Sequence, residues 1–255
     1  MYRSSRPEPT IHALAAGAAC LLLAAAQAAL AQAPAPVKEG IESKGYVWNA
    51  QEGEKIEALH KQGSVANGAD AYEVCGACHL PSGAGRPDGT FPQLAGQHTT
   101  VLIKQMADIR AGLRDNPTMY PFAISLTDPQ ELADAAAYIS SLCIPRDHGQ
   151  YEGRDAEQQV AAGKPLYEKE CQNCHGPHGE GDKAKFYPVI AGQHYKYLLR
   201  QMTNIRDGKR RNANPDMVKI IKQYSDADLV AISAYQSSLE MPGAMCAAAA
   251  GAKPK

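Results

Sequence analysis

Several features that would declare a protein's class are scarce in this chain. Twenty-six Lys and Arg stand against 27 Asp and Glu, a formal net charge of −1, so there is no bulk pull toward nucleic acid or an anionic membrane, and a charged partner must be met by a local cluster. No run alternates apolar and polar residues long enough to specify a strand, which argues against a sheet. Beyond residue 33 no apolar stretch is long enough to span a bilayer. Tryptophan occurs once, at Trp48. What is present, 44% hydrophobic and 21% charged residues in 255, is the balance of an ordinary globular chain with room for one large domain or two small ones.

The N-terminus carries Arg3 and Arg6, an Ala/Leu-rich run through Leu21-Leu22-Leu23, and Ala31-Gln32-Ala33 before Pro34. This pattern reads as a secretory signal peptide over residues 1–33 with a small-x-small cleavage site. A retained helical anchor is the competing reading, weakened by the low hydrophobicity of alanine and by Gln27. Cys20 falls inside the leader, and the mature protein is expected in an exported, oxidising compartment.

The remainder is duplicated. Cys75-Gly76-Ala77-Cys78-His79 recurs 96 residues later as Cys171-Gln172-Asn173-Cys174-His175, and Leu94-Ala95-Gly96-Gln97-His98 recurs as Ile190-Ala191-Gly192-Gln193-His194. The register continues through Gln105-Met106 and Gln201-Met202, then slips slightly to match Met119 with Met217 and Tyr138 with Tyr235. Leu102, Met106, Ile109 and Leu113 mark one helical face, as do Leu198, Met202 and Ile205. Thr127 to Gln130 reads as a capping box for a helix with Leu132, Ala136, Ile139 and Leu142 on its apolar face, and Ser225 with Asp228 starts the partner helix. The expected organisation is an N-terminal extension at 34–62, a first domain at 63–145, a linker at 146–156, a second domain at 157–242 and a tail at 243–255, both domains all-α.

Domains of about ninety residues with long Gly/Pro-rich segments bury too little apolar surface by themselves, so something should fill each core. The pentapeptide C-x-x-C-H supplies the anchor: two thiols one helical turn apart can bond the two vinyl groups of a haem, and the following histidine faces the iron. Zinc would need a fourth ligand that neither repeat offers nearby. A redox dithiol would need a βαβ context, and none is visible. The prediction is two covalently bound haem c groups, on Cys75 and Cys78 and on Cys171 and Cys174, with His79 and His175 as axial ligands.

For the second axial position each repeat provides a methionine after an Asn-Pro turn: Asn116-Pro117-Thr118-Met119 and Asn214-Pro215-Asp216-Met217. A soft thioether suits low-spin haem iron. Met106 and Met202, on the apolar helix face, are expected to fill the core. His98 and His194 stand at helix starts and are expected to face solvent or cap the helix. His178 is too near His175 to reach the opposite face, and His60 and His148 lie outside the repeat.

In this order, C-x-x-C-H, a proline thirteen residues after the histidine (Pro92 and Pro188), [LI]-A-G-Q, a Gln-Met helix, the methionine and a closing Ala-Tyr helix, the chain resembles class I c-type cytochromes. Duplicated, it resembles the dihaem cytochrome c4 family from about Gly68 to Leu239. The resemblance implies two tandem haem domains with approximate twofold symmetry, periplasmic and exchanging electrons. It also implies that Pro92 and Pro188 offer backbone carbonyls to the proximal histidines. The chain departs from the family pattern where Leu80 stands in place of the glycine seen at Gly176, and where no proline follows Met217 as Pro121 follows Met119.

Cys143 and Cys246 remain after the haem anchors are counted. They either pair, tying the tail to the linker, or stay as two buried thiols. From Lys183 to Lys222 there are ten basic and two acidic residues, against four and three between Arg86 and Ile124. This is either a solvated helical face or a docking face of domain 2, including Lys209-Arg210-Arg211, for an acidic redox partner. No nucleic acid partner is expected, and a membrane-bound respiratory complex is among the redox partners compatible with the chain. No acid, base or open iron site is apparent. The function expected is therefore a non-enzymatic periplasmic carrier moving single electrons between respiratory or dehydrogenase complexes and an oxidase. Its rivals are a dihaem subunit of a periplasmic dehydrogenase and a dihaem enzyme.

Overall fold

Helices and turns alone build the chain where it is described. The computed structural model describes residues 47, 48, 50 and 52–246; the leader expected at 1–33, most of the stretch from 34 to 51 and the tail from 247 lie outside the described residues. The elements are α1 (Glu54–Leu59), α2 (Val65–His79), α3 (Thr99–Arg110), α4 (Tyr120–Ala123), α5 (Pro129–Ser141), α6 (Ala156–Leu166), a π turn (Tyr167–Cys171), α7 (Gln172–His175), a 3₁₀ turn (Lys183–Lys185), α8 (Tyr195–Arg206), α9 (Pro215–Ile221) and α10 (Asp226–Ser237). Among the described residues there is no strand, only isolated bridges between Ile144 and Met245 and between Asp182 and Tyr187. The fold is all-α, with α2 to α5 repeated by α6 to α10.

Local chemistry starts the helices. Ser64 caps α2, Asn214 caps α9, and Ser225 closes a reciprocal box with Asp228 at α10, each cap contributing about 1 kcal/mol. At α5 the cap is Asp128, one residue later than the sequence suggested. Its carboxylate accepts from the N–H groups of Gln130 and Glu131, because Pro129 takes the first helical position, where no N–H is needed. Thr127 is held instead by Glu131, to which its hydroxyl donates at 3.0 Å.

In each repeat the first and last helices cross over a glycine. A Cβ on Gly68 would collide with the carbonyl of Asp134, and one on Gly163 with that of Ala231. This close approach seats Tyr72 on Tyr138 and Tyr167 on Tyr235, both with ring centroids 5.3 Å apart. Tyr72, Leu102, Ile103, Leu126, Leu132 and Ile139 form the core of repeat 1. In repeat 2, Tyr167, Val189, Ile190 and Leu198 make one cluster, and Met202, Ile205, Val218, Ile221, Leu229 and Ile232 another.

The segments read as flanks are packed into this frame. Helix α1 puts Ala58, fully buried, into the core of repeat 1, and Glu54 pairs with Arg110 at 2.8 Å. Trp48 lies over the ammonium of Lys104, 4.0 Å from the ring centroid. Within the linker, His148 is buried with Nε2 2.8 Å from the carbonyl of Ser237. Cys143 and Cys246 are disulfide-bonded with Cα atoms 4.9 Å apart, and beside them Ile144 and Met245 enter the core of repeat 2.

Candidate functional site

The last turn of α2 carries Cys75, Cys78 and His79. In repeat 2 the same turn is reached differently, because one extra residue separates Tyr167 from Cys171 compared with Tyr72 from Cys75. The π turn Tyr167–Cys171 absorbs it, as single-residue insertions in helices commonly are. The geometry beyond is then restored. Tyr72 donates its hydroxyl to the carbonyl of Leu80 at 2.8 Å, and Tyr167 donates to that of Gly176 at 2.6 Å. Neither tyrosine was singled out by sequence reasoning; the available signal was that break in register just upstream of the second motif.

Both imidazoles are oriented alike. Nδ1 of His79 lies 2.9 Å from the carbonyl oxygen of Pro92, and Nδ1 of His175 lies 3.1 Å from that of Pro188. Since a carbonyl can only accept, Nδ1 carries the proton and Nε2 keeps the lone pair that a metal requires. Burial holds both rings below the ordinary histidine value, against the opposing effect of the carbonyl bond. Phe91 and Tyr187 flank the two rings at centroid distances of 6.0 and 6.5 Å.

The methionine turns are pinned by one device. The side-chain oxygen of Asn116 accepts from Met119 N–H at 3.2 Å, and that of Asn214 from Met217 N–H at 3.3 Å. Met119 directly precedes the short helix α4, whereas Met217 lies inside α9. The turn expected at Met217 is thus helical, as the uninterrupted Val218–Lys222 run allows. Met106 and Met202 also belong to the cavity wall, besides packing against the cores.

The thiols, the two imidazoles and the methionines line one cavity of about 730 Å³, walled by both repeats. Its four cysteines, Cys75, Cys78, Cys171 and Cys174, are free thiols. Burial pushes Cys75 up to about 11 and Cys171 to about 12, opposite to the depressed values of redox dithiols and thiolate metal ligands. Among the described residues no three of His, Cys, Asp and Glu form a metal-holding group. Two unpaired thiols, an imidazole with a free Nε2 and a thioether, repeated on one apolar cavity, fit covalent haem and do not fit zinc.

His98 and His194 depart from expectation. Both start helices without capping them. His98 Nε2 lies 2.8 Å from the carbonyl of Glu180 in the other repeat. His194 is 1% exposed and accepts at Nδ1 from Gly149 N–H at 3.1 Å. Docking of the repeats, invisible to a helical-face argument, half-buries His98, and the segment at Gly149 helps to cover His194. The same docking engages two cations read as a surface cluster. Arg211 grips Asp115 with two contacts of 2.8 Å, and Arg210 reaches Gln105 at 3.1 Å, both across the repeats.

Comparison with known proteins places this arrangement. The Cytochrome c family model matches residues 65–143 and again 160–240. Cytochrome c4 of Azotobacter vinelandii is 36% identical over 199 residues, covering 71% of this chain and 91% of the relative. A thiosulfate dehydrogenase electron acceptor of Stutzerimonas stutzeri is 35% identical over 193 residues, covering 73% of this chain and 85% of the relative. The crystal structure of reduced recombinant cytochrome c4 from Pseudomonas stutzeri superposes with a TM-score of 0.61 at 30% identity, covering 70% of this chain and all of that one.

Proposed function

Because the chain belongs to the cytochrome c family, as a dihaem member of the cytochrome c4 kind with two covalently bound haem c groups, we propose that it carries single electrons in the periplasm between a respiratory or dehydrogenase complex and an oxidase. Each haem, when bound, supplies a one-electron couple. Cys75 and Cys78 would hold the first group and Cys171 and Cys174 the second, with His79 and Met119 as the iron ligands of one and His175 and Met217 as those of the other. The pairing of an oriented imidazole with a pinned methionine in both repeats is the observation that supports this reading, since two such ligands on each haem would leave neither iron open to a substrate.

Optical spectra of the purified holoprotein test it. A methionine-to-iron charge-transfer band from both haems, with no high-spin component and no rapid cyanide binding, is the expected result. A five-coordinate or thiolate-ligated haem would replace the carrier with an enzyme. Export is supported by the leader at 1–33 and by a disulfide suited to an oxidising compartment. Among the described residues no helix is long and apolar enough to cross a membrane.

Similarity to a thiosulfate dehydrogenase electron acceptor favours a second reading, a dihaem subunit or dedicated acceptor of a periplasmic dehydrogenase. Stable co-purification with such an enzyme separates it from the free carrier. For docking, the basic face of repeat 2 is retained, but through Lys183, Lys185, Lys196 and Lys209, all exposed. Arg210 and Arg211 bind repeat 1, so neutralising them would test the interdomain contact rather than the partner.

A further inference from the structure

Beneath each proximal histidine, a peptide group is held from the other repeat. The peptide joining Pro188 to Val189 accepts from His175 Nδ1 at its oxygen, 3.1 Å, and donates its N–H to Gln97 Oε1, 2.9 Å. Gln97 closes the contact by donating Nε2 to the carbonyl of Val189, also 2.9 Å. The arrangement recurs in reverse. The peptide joining Pro92 to Gln93 accepts from His79 Nδ1 at 2.9 Å and donates to Gln193 Oε1 at 3.1 Å, while Gln193 Nε2 donates to the carbonyl of Gln93 at 2.9 Å. Both glutamines are buried.

We propose that Gln97 and Gln193 are positioning residues that act crosswise, each setting the hydrogen bond to the axial histidine of the opposite repeat and thereby the reduction potential of that repeat's haem. A peptide is a conjugated planar unit, so a hydrogen bond accepted at its oxygen and one donated from its nitrogen strengthen each other. Gln97 therefore makes the Pro188 carbonyl a better acceptor, which draws on the Nδ1 proton of His175 and raises the basicity of its Nε2. A more basic ligand favours the oxidised iron. Breaking the relay should raise the potential of the opposite haem and leave its own repeat's haem close to native.

The inference rests on His79 and His175 being the axial ligands, which the optical spectrum tests separately. In the full-length holoprotein, Gln97→Leu and Gln193→Leu are compared by potentiometric titration, with the two waves assigned to repeats through Met119→His and Met217→His variants. Gln97→Leu is expected to shift the reduction equilibrium of the repeat 2 haem about threefold or more toward the reduced form, together with the hyperfine-shifted Nδ1 proton of His175. Gln193→Leu should do the same to repeat 1 and His79. If either replacement prevents assembly, Gln97→Met and Gln193→Met, closer in volume, serve in its place. Shifts confined to the mutated repeat, equal shifts in both, or none with spectra intact would overturn the proposal without touching the haem assignment.

Discussion

Lys104 and Arg200 hold the same position in their repeats and meet opposite environments. Lys104 is 1% exposed, bonded to Asp108 at 2.6 Å, roofed by Trp48, and burial pushes its ammonium down to about 8 against the raising influence of Asp108. Asp108 also accepts from Asn212 of the other repeat at 2.8 Å. Arg200 is exposed, lying over Tyr197 and donating to the carbonyl of Gly89 at 2.7 Å. The same helical position thus became a buried ionic contact in one repeat and an exposed cation in the other, because Trp48 covers Lys104 in repeat 1 and Asn204 stands in repeat 2 where Asp108 stands in repeat 1.

This difference is easiest to break at the lysine. Lys104→Ala leaves Asp108 short of its buried partner and should cost about 3–5 kcal/mol in denaturant unfolding, against about 1 kcal/mol for Arg200→Ala. Equal losses would mean that burial of this position does not distinguish the repeats. His98 and His194 give the next largest contrast. Burial lowers His194 from 6.5 to about 4. The unfolded chain therefore takes up a proton that the folded one refuses. Stability is complete above pH 6.5 and falls by about 1.4 kcal/mol per pH unit as pH drops toward 4. His194→Gln should remove that portion of the acid slope in unfolding curves recorded from pH 7 to 4, and an unchanged slope would refute it.

The smallest effect concerns the residue after each C-x-x-C-H. Gly176 and Leu80 both have positive φ, 74° and 65°, with ψ of 163° and 153°, a region nearly reserved for glycine. In repeat 2 a Cβ there would also displace the Glu180 carboxylate. In repeat 1 the residue matching Glu180 is Ala84, which leaves room for Leu80. Leu80→Gly should stabilise the protein by about 1 kcal/mol through relief of strain, read as a rise in Tm. A lower Tm would show that packing of the leucine outweighs its backbone strain.

Much of the site was legible because its parts lie close along the chain. Cys75, Cys78 and His79 sit within one helical turn, and Asn116 pins Met119 three residues on. The reading failed where partners come from a hundred residues away. His194, placed at a helix start, was expected to meet solvent or cap the helix and does neither, and the Lys209-Arg210-Arg211 cluster was read as one surface although two of its members reach across to Gln105 and Asp115. The cap of α5 was misplaced by one residue because Pro129 shifts the helix start, a local effect that was present in the sequence.

By itself the sequence determined the duplication, the two C-x-x-C-H motifs, the Asn-Pro step that leads into each methionine, and the all-α plan. Each follows from helix periodicity and short spacings that hold however the domains are arranged. Only the tertiary structure decided which faces meet: the crossed glutamines beneath the histidines, the burial of Lys104, and the use of Arg210 and Arg211 at the junction. Hydrogen bonds between residues separated by about one repeat depend on how two folded surfaces dock, and neither helical period nor motif spacing encodes that geometry.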